Sequence, residues 1–266
     1  MSDKLFSIVI LTWNRLDFTK KTIDNIILKT TVPNEIIIVD NGSITPGMFD
    51  YLENVKGNNK TIGVKLIKNE RNYGIAWGKN IGMYHSKGDY IFLCDDDILV
   101  PDNYAQQLME ICDKIPKVGV AGICVEPAKY SVQTINGVRC RPKPIGNVGG
   151  ATMCLPRRVQ KTIGFLNGSI YGLEDSDLDV RIRLLGLIPI YAESYGKHMD
   201  DDSLKEYRKE KTKAHSKGSK PLRKFCKDKI YYQQTKNVYV PFDLTMLDRE
   251  DPVGVSIFTN DLIKRG

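Results

Sequence analysis

Four times in the first hundred residues a short run of β-branched and aromatic side chains ends in a cluster of polar ones, and between these runs the apolar residues take helical spacing. Leu5 to Leu11, Glu35 to Val39, Gly63 to Ile67 and Asp89 to Leu93 read as strands. Leu16 to Leu28, a stretch near Gly47 to Val55, and Ile75 to His85 read as helices. Alternation of this kind is satisfied by an α/β fold with a mostly parallel central sheet and helices on both faces. The polar clusters then fall on one rim, at the carboxyl ends of successive strands. They are Thr12-Trp13-Asn14-Arg15, Asp40-Asn41-Gly42-Ser43, Asn69 to Tyr73, and Asp95-Asp96-Asp97. Open α/β sheets bind ligands at that rim, and four such clusters make a nucleotide cleft.

The aspartate triplet closes the apolar run Tyr90-Ile91-Phe92-Leu93-Cys94. Like charges this close raise one another's pKa and repel unless a positive group sits among them. A divalent cation holding a nucleotide diphosphate is one such group. A solvated acidic loop is the plainer alternative, and the position at a strand's carboxyl end argues against it.

A chain of 266 residues with 41% hydrophobic content can bury a substantial core. The first residues show no basic segment followed by an apolar stretch, so no secretory signal is expected. The longest apolar runs, such as Ile8 to Leu11 and Ile36 to Val39, fall far below the roughly 18 residues that cross a bilayer. Cys94, Cys112, Cys124, Cys140, Cys154 and Cys226 have no C-x-x-C spacing, which suggests neither zinc nor a disulfide framework and fits a reducing cytoplasm. The net charge of +7 is uneven: Lys205 to Lys229 holds eleven basic residues against three acidic ones, +8, so the remainder is close to −1. That segment is either a solvated polar face or an electrostatic footprint for a polyanion or an anionic membrane. Only Tyr207 and Phe225 lie within it, so a base-stacking platform has little support.

The second half changes texture. Asp102 to Lys114 reads as a helix with Asp102 as N-cap, and Val118 to Val125 as a strand. Pro127 to Asn147, rich in Pro, Gly and basic residues, reads as a hairpin or mobile loop. Val148 to Cys154 is expected to be a strand whose Gly149 and Gly150 allow close approach of a ligand or another backbone. Pro156 to Ile163 reads as a short helix, Leu178 to Leu185 as another, and Ile188 to Ala192 as a last strand. Glu174, Asp175, Asp177 and Asp179 cluster at a helix N-terminus, where the dipole favours negative charge. That accounts for one or two of the four. Arg181 and Arg183 are candidates for structural pairing with them.

Taken together, several segments resemble the glycosyltransferases of family 2, which have the GT-A fold. They are Ser7 to Arg15, Ile36 to Ser43, Asn69 to Gly74 with Lys79 to Gly82, Phe92 to Asp97, and Gly172 to Asp175 with Asp177, Leu178 and Arg181. They occur in the family's order and spacing over about residues 5 to 200. The resemblance implies a donor-binding half at 1–100, an acceptor-binding and catalytic half at 101–202, and a basic C-terminal extension at 203–266 outside it.

What the resemblance implies chemically is transfer of a sugar from a nucleoside diphosphate, commonly a uridine one, with Mn²⁺ or Mg²⁺ neutralising the leaving diphosphate. Thr12, Asn14 and Arg15 would line the base pocket, Asp40 would accept from uracil or ribose, and Asn72, Gly74 and Lys79 would complete the donor site. A solvated Lys79 is the alternative. Asp95 and Asp97 match the D-x-D pattern and are expected at the metal, Asp95 also as a ribose contact; Asp96 belongs to the donor set but is expected to turn away. Asp175 would be the general base and Glu174 would orient the acceptor beside Gly149 and Gly150. His198, otherwise an ordinary surface or core residue, would be a third metal ligand, with Asp200, Asp201 and Asp202 as competitors.

A nucleotidyltransferase would need a glycine-rich loop after the first strand, and Thr12-Trp13-Asn14-Arg15 has none. A catalytically silent sugar-binding protein would be expected to lack Asp97 or Asp175. For the acceptor two readings stand: a modified base in DNA, for which the basic segment is a footprint, or a lipid-linked glycan at the inner membrane surface, for which it is a peripheral anchor.

Overall fold

The structure is a computed structural model that describes residues 4–58, 63–125, 130–170, 172–199 and 220–248. Its centre is a nine-stranded sheet. The first four strands, β1 (Phe6–Thr12), β2 (Asn34–Asp40), β3 (Gly63–Lys68) and β4 (Tyr90–Asp95), pair in parallel in the order β3-β2-β1-β4. Between them run α1 (Leu16–Lys29), α2 (Met48–Asn58) and α3 (Ile75–His85). β5 (Ile98–Leu99) follows the aspartates, then α4 (Tyr104–Lys114), β6 (Val118–Cys124) and the hairpin β7 (Gln133–Ile135) with β8 (Val138–Pro142). β9 (Thr152–Pro156), α5 (Arg157–Ile163), α6 (Glu174–Leu184), β10 (Ile188–Tyr195), β11 (Lys197–His198) and α7 (Lys220–Thr235) complete the order, with a 3₁₀ turn at Leu244–Asp248.

The sheet continues from β4 as β9-β6-β10-β8-β7, and here it is mixed. β9 runs antiparallel to both β4 and β6, β6 and β10 are parallel, and β8 is antiparallel to β10 and β7. The expected parallel order therefore describes the N-terminal half of the sheet, and β9 joins that half to the second.

Alternation along the central strands explains why helices cover both faces. Phe6, Ile8 and Ile10, Ile36 and Ile38, and Tyr90, Phe92 and Cys94 point into a core shared with α1, α2 and α4. Their neighbours Val9 and Leu11, Ile37 and Val39, and Ile91 and Leu93 point into a second core with α3, α5 and α6. A strand buried on both sides has to be apolar at consecutive positions. Each such Ile, Leu, Val or Phe contributes about 1.5–3 kcal/mol by leaving water. α3 lies tight on β1 because it presents glycines there: a Cβ on Gly78 would sit 2.4 Å from Leu11 Cδ1, and one on Gly82 would sit 2.2 Å from Val9 Cγ1.

Two local expectations are corrected, the cap of α4 and the start of β9, and for Pro127 to Asn147 the hairpin alternative holds. The cap of α4 is Asn103, in the left-handed region at φ 56°, while Asp102 pairs with Lys29. β9 starts at Thr152, so Gly149 and Gly150 belong to the turn before the strand, where the Gly149 carbonyl accepts from Thr152 N at 3.3 Å. The Pro127 to Asn147 stretch contains the β7–β8 hairpin, turned by Asn136 and Gly137, both at positive φ. Much of the basic segment, Lys205 to Ser219, lies outside the described residues. All six cysteines are free thiols, and five are buried. Among the described residues no helix is long and apolar enough to cross a membrane.

After α7 the chain returns to the second core. Val240 N donates to the Ile163 carbonyl and Phe165 N to the Val240 carbonyl, both at 2.9 Å. Phe242 inserts against Phe165 and Trp77, with ring centroids at 5.2 and 5.5 Å. Phe242→Ala is expected to destabilise the fold by about 3 kcal/mol through the lost contacts and the residual cavity, read as a lower urea midpoint with an unchanged slope.

Candidate active site

The rim is assembled by backbone turns that polar side chains hold in place. Asp40 ends β2, and its Oδ1 accepts from Ser43 N at 3.0 Å while Oδ2 is buried without a hydrogen-bond partner among the described residues. Gly42 carries φ +76°, and a Cβ there would meet the Arg71 backbone at 2.7 Å, so the β2 and β3 loops touch. Asn41 ties them together. Its Oδ1 accepts from Asn69 Nδ2 and Tyr73 N, each at 3.0 Å, and its Nδ2 donates to Asn72 Oδ1 at 2.8 Å. Asn72 Oδ1 also accepts from Gly74 N at 2.8 Å, which starts α3 with Gly74 at φ 83°. Asn72 and Gly74 thus shape the loop. Asn14 does the same for the β1 loop: its Oδ1 accepts from Ile44 N at 2.8 Å and its N donates to Ser43 Oγ at 2.9 Å.

The three aspartates at the end of β4 go to different places. Asp96 is buried beneath β1, where Oδ2 accepts from Thr12 Oγ1 at 2.9 Å and Thr19 Oγ1 at 3.3 Å. Burial pushes its carboxyl up to about 6, against the lowering effect of the Arg15 charge. Arg15 bridges two of the aspartates, pairing through one nitrogen with Asp96 and through the other with Asp97 Oδ2 at 2.7 Å. Burial pulls the Arg15 pKa down, but Asp96 and Asp97 outweigh it and the guanidinium stays firmly charged. Asp95 pairs with Lys79 Nζ at 2.6 Å. Two cations thus face three carboxylates, which leaves one negative charge over.

Lys79 is not solvated: its side chain has no exposed surface. Burial works against its charge, yet Asp95 and Glu174 more than compensate and its pKa is raised. Nζ also donates to the Gly150 carbonyl at 2.7 Å.

β11 brings His198 over the triplet. His198 pairs in register with Ile98 of β5, and Met199 N donates to the Asp97 carbonyl at 2.8 Å. His198 Nε2 stands 3.5 Å from Asp97 Oδ2, and Asp97 Oδ1 is buried with no hydrogen-bond partner among the described residues. Among those residues no three His, Cys, Asp or Glu side chains form a metal-holding group: the structure joins Asp97 to His198 and turns Asp95 toward Lys79. Asp200, Asp201 and Asp202 lie outside the described residues.

On the other side, α6 opens with Glu174 and Asp175. Asp175 Oδ1 accepts from Ser176 N at 2.6 Å and Oδ2 from Gly150 N at 3.2 Å. The next two acids of the helix are structural. Asp177 pairs with Arg181 Nε at 2.6 Å with both side chains fully buried, and Asp179 pairs with Arg183 Nε at 2.8 Å. Arg181 also donates to the Ile163 and Phe165 carbonyls, while Tyr232 of α7 donates to Asp177 Oδ1 at 3.1 Å.

Tyr191 of β10 joins the site with no mark in its local sequence pattern. Its hydroxyl accepts from Gly149 N at 3.0 Å. Burial pushes the phenol up to about 12 against that bond, and the Asp175 charge adds to the rise. Asn41 lay within a motif, Asp40 to Ser43, and its role as a tie between loops shows only once β3 stands beside β2.

Residues 7–138 match the model of glycosyl transferase family 2. The chain belongs to that family. The chain is 25% identical over 192 residues to a Haemophilus influenzae protein described as an uncharacterized glycosyltransferase. The match takes in 67% of the chain and 62% of that relative, so the chain spans less than two thirds of the relative's length. Among solved structures it resembles the Pyrobaculum calidifontis mannosyltransferase PcManGT in complex with GDP-Man and Mn²⁺, at TM-score 0.63 and 18% identity, over 87% of this chain and 70% of that one. It also resembles S. aureus TarS 1-349 in complex with UDP-GlcNAc, at TM-score 0.57 and 15% identity, over 74% of this chain and 59% of that one. The fold of the chain is GT-A.

Replacing Arg181 by Met would leave Asp177 of α6 as a buried charge without its cationic partner. Arg181→Met is expected to cost about 3–5 kcal/mol, measured by denaturant unfolding.

Proposed function

We propose that this chain transfers a sugar from a nucleoside diphosphate sugar, uridine-linked in the first instance, to an acceptor hydroxyl with inversion at the anomeric carbon. The observation that carries this reading is Asp97. A carboxylate oxygen buried without a partner, beside an imidazole and at the carboxyl end of a central strand, is costly unless a ligand completes it. Carboxylate and imidazole together suit Mn²⁺ or Mg²⁺. Such sites hold the cation by one or two protein carboxylates and the substrate's phosphates, so a three-residue cage is not required. Asp97 and His198 would hold it, with Asp95 within the same cluster, and when bound it neutralises charge on the departing diphosphate. PcManGT in complex with GDP-Man and Mn²⁺ and TarS in complex with UDP-GlcNAc support the donor class.

The chain's own residues supply the rest. Asp40 Oδ2 accepts a hydrogen bond from the base or ribose, in a pocket walled by Thr12, Asn14 and Arg15. Asp175 takes the proton of the acceptor hydroxyl on the face opposite the diphosphate, held for that task by the Gly150 amide. Glu174 and the Gly149–Gly150 turn orient the acceptor. Residues 1–100 would serve the donor and 101–202 the acceptor. Arg223, Lys227 and Lys229 are exposed on α7 and continue the basic segment toward an anionic acceptor. Modified DNA in the cytoplasm is one such acceptor, and a lipid-linked glycan on an anionic inner-leaflet surface is the other.

A donor-hydrolysis screen over nucleotide sugars, with Mn²⁺ and with chelator, tests the donor side. Asp97→Asn and Asp175→Asn are each expected to lower turnover by about 10²–10⁴-fold with the circular dichroism spectrum retained; undiminished turnover in Asp175→Asn would remove it as the base. For the acceptor, neutralising Arg223, Lys227 and Lys229 to Gln is expected to flatten the salt dependence of binding to modified DNA. An unchanged slope, with loss of sedimentation on anionic vesicles, selects the lipid-linked glycan instead.

A further inference from the structure

Lys79 connects the β4 carboxylates to the base helix. Its Nζ reaches Asp95 Oδ1 at 2.6 Å and the Gly150 carbonyl at 2.7 Å. The amide of that same Gly150 donates to Asp175 Oδ2 at 3.2 Å. The turn is held again one residue on, where Asp95 N donates to the Ala151 carbonyl at 3.1 Å. It also packs closely on α6: a Cβ at Gly150 would stand 3.4 Å from Glu174 Oε1 and 3.8 Å from Asp175 Oδ2.

A lysine that binds a diphosphate has to present its ammonium to the cleft. The Lys79 side chain has no exposed surface, and two of its three N–H groups already serve protein oxygens. As the structure places it, Lys79 lies behind the site rather than in it. The Gly149–Gly150 turn lies between two strands of opposite origin, since β4 carries Asp95 and β9 begins directly after the turn. An unanchored peptide there would be free to rotate, and rotation would take the Gly150 N–H away from Asp175.

We infer that Lys79 is a positioning residue for Asp175: it holds the Gly150 peptide so that its N–H fixes the Asp175 carboxylate, and it ties that orientation to Asp95 at the end of β4. The inference rests on the reading of Asp175 as the base. A base displaced by an ångström loses about 10²-fold in rate while the substrate still binds. Lys79 therefore acts on turnover rather than on donor affinity, and its effect requires an intact Asp175.

Wild type, Lys79→Met, Asp175→Asn and the double variant are compared in hydrolysis of the nucleotide sugar selected by the donor screen. Binding of the corresponding nucleoside diphosphate with Mn²⁺ is measured by calorimetry. The expected result for Lys79→Met is a fall in kcat of about 10- to 100-fold with KM and nucleotide affinity within about threefold. On the Asp175→Asn background the same substitution is expected to cause little further loss. Nucleotide affinity falling in step with kcat would make Lys79 a donor ligand and overturn the inference. Losses that multiply in the double variant would overturn it too, by separating Lys79 from Asp175. Where Lys79→Met loses cooperative unfolding, Lys79→Arg, which keeps the charge and changes the reach, is read by the same two criteria. A wild-type chain that binds no nucleoside diphosphate would instead overturn the proposed function, and the inference with it.

Discussion

Everything at the rim depends on how three adjacent carboxylates are tolerated at the end of a buried strand. Two cations do most of it. Arg15 comes from the β1 loop and clamps Asp96 and Asp97, while Lys79 comes up from α3 and takes Asp95. Lys79 is fully buried, and the carboxylate of Asp95 offsets the cost of burying its charge; Arg15, partly exposed, offsets the cost of burying Asp96 and Asp97. One net negative charge remains, and Asp97 Oδ1 is buried with no hydrogen-bond partner among the described residues. The packing of α3 onto β1 through Gly78 and Gly82 is what lets Lys79 reach its place.

The second half of the site is built on a different principle. Asp175 is held by backbone groups at a helix N-terminus, and the helix is anchored by the buried Asp177–Arg181 pair and by Tyr232 of α7. The anchor runs on through Asn167, which donates to Asp228 Oδ2 at 2.9 Å. The C-terminal elements, which lie beyond the segment matching the family, thus brace the very helix that carries Glu174 and Asp175.

Local pattern revealed the elements and the residue types at their ends, because period and turn chemistry are properties of neighbouring residues. Ile75 to His85 is a helix as its spacing indicates, and the strand ends carry the polar clusters in the expected order. What pattern did not reveal was partnership across long separations. Nothing near Lys79 says that its ammonium meets Gly150, 71 residues away. Nothing near Asn14 says that its side chain will be occupied in holding Ile44 and Thr45. β9 begins later than its local pattern suggests, because Val148 and its glycines look extended by themselves, whereas the position of β4 determines where pairing can begin. The antiparallel entry of β9 is likewise a property of the assembled sheet.

That entry governs how the molecule can be divided. β9 fills the space between β4 and β6, pairing Ile91 with Leu155 and Phe92 with Cys154 on one side and Ala121 with Cys154 on the other. A fragment stopping at residue 138, where the family match ends, would leave β4 with an open, apolar edge and β6 without either of its neighbours, β9 and β10, so that their peptide groups go unpaired. Such edges recruit strands from other chains. The boundary drawn by sequence similarity therefore cuts through a sheet, and the smallest piece of this protein able to stay monomeric has to include the strand that arrives last between them.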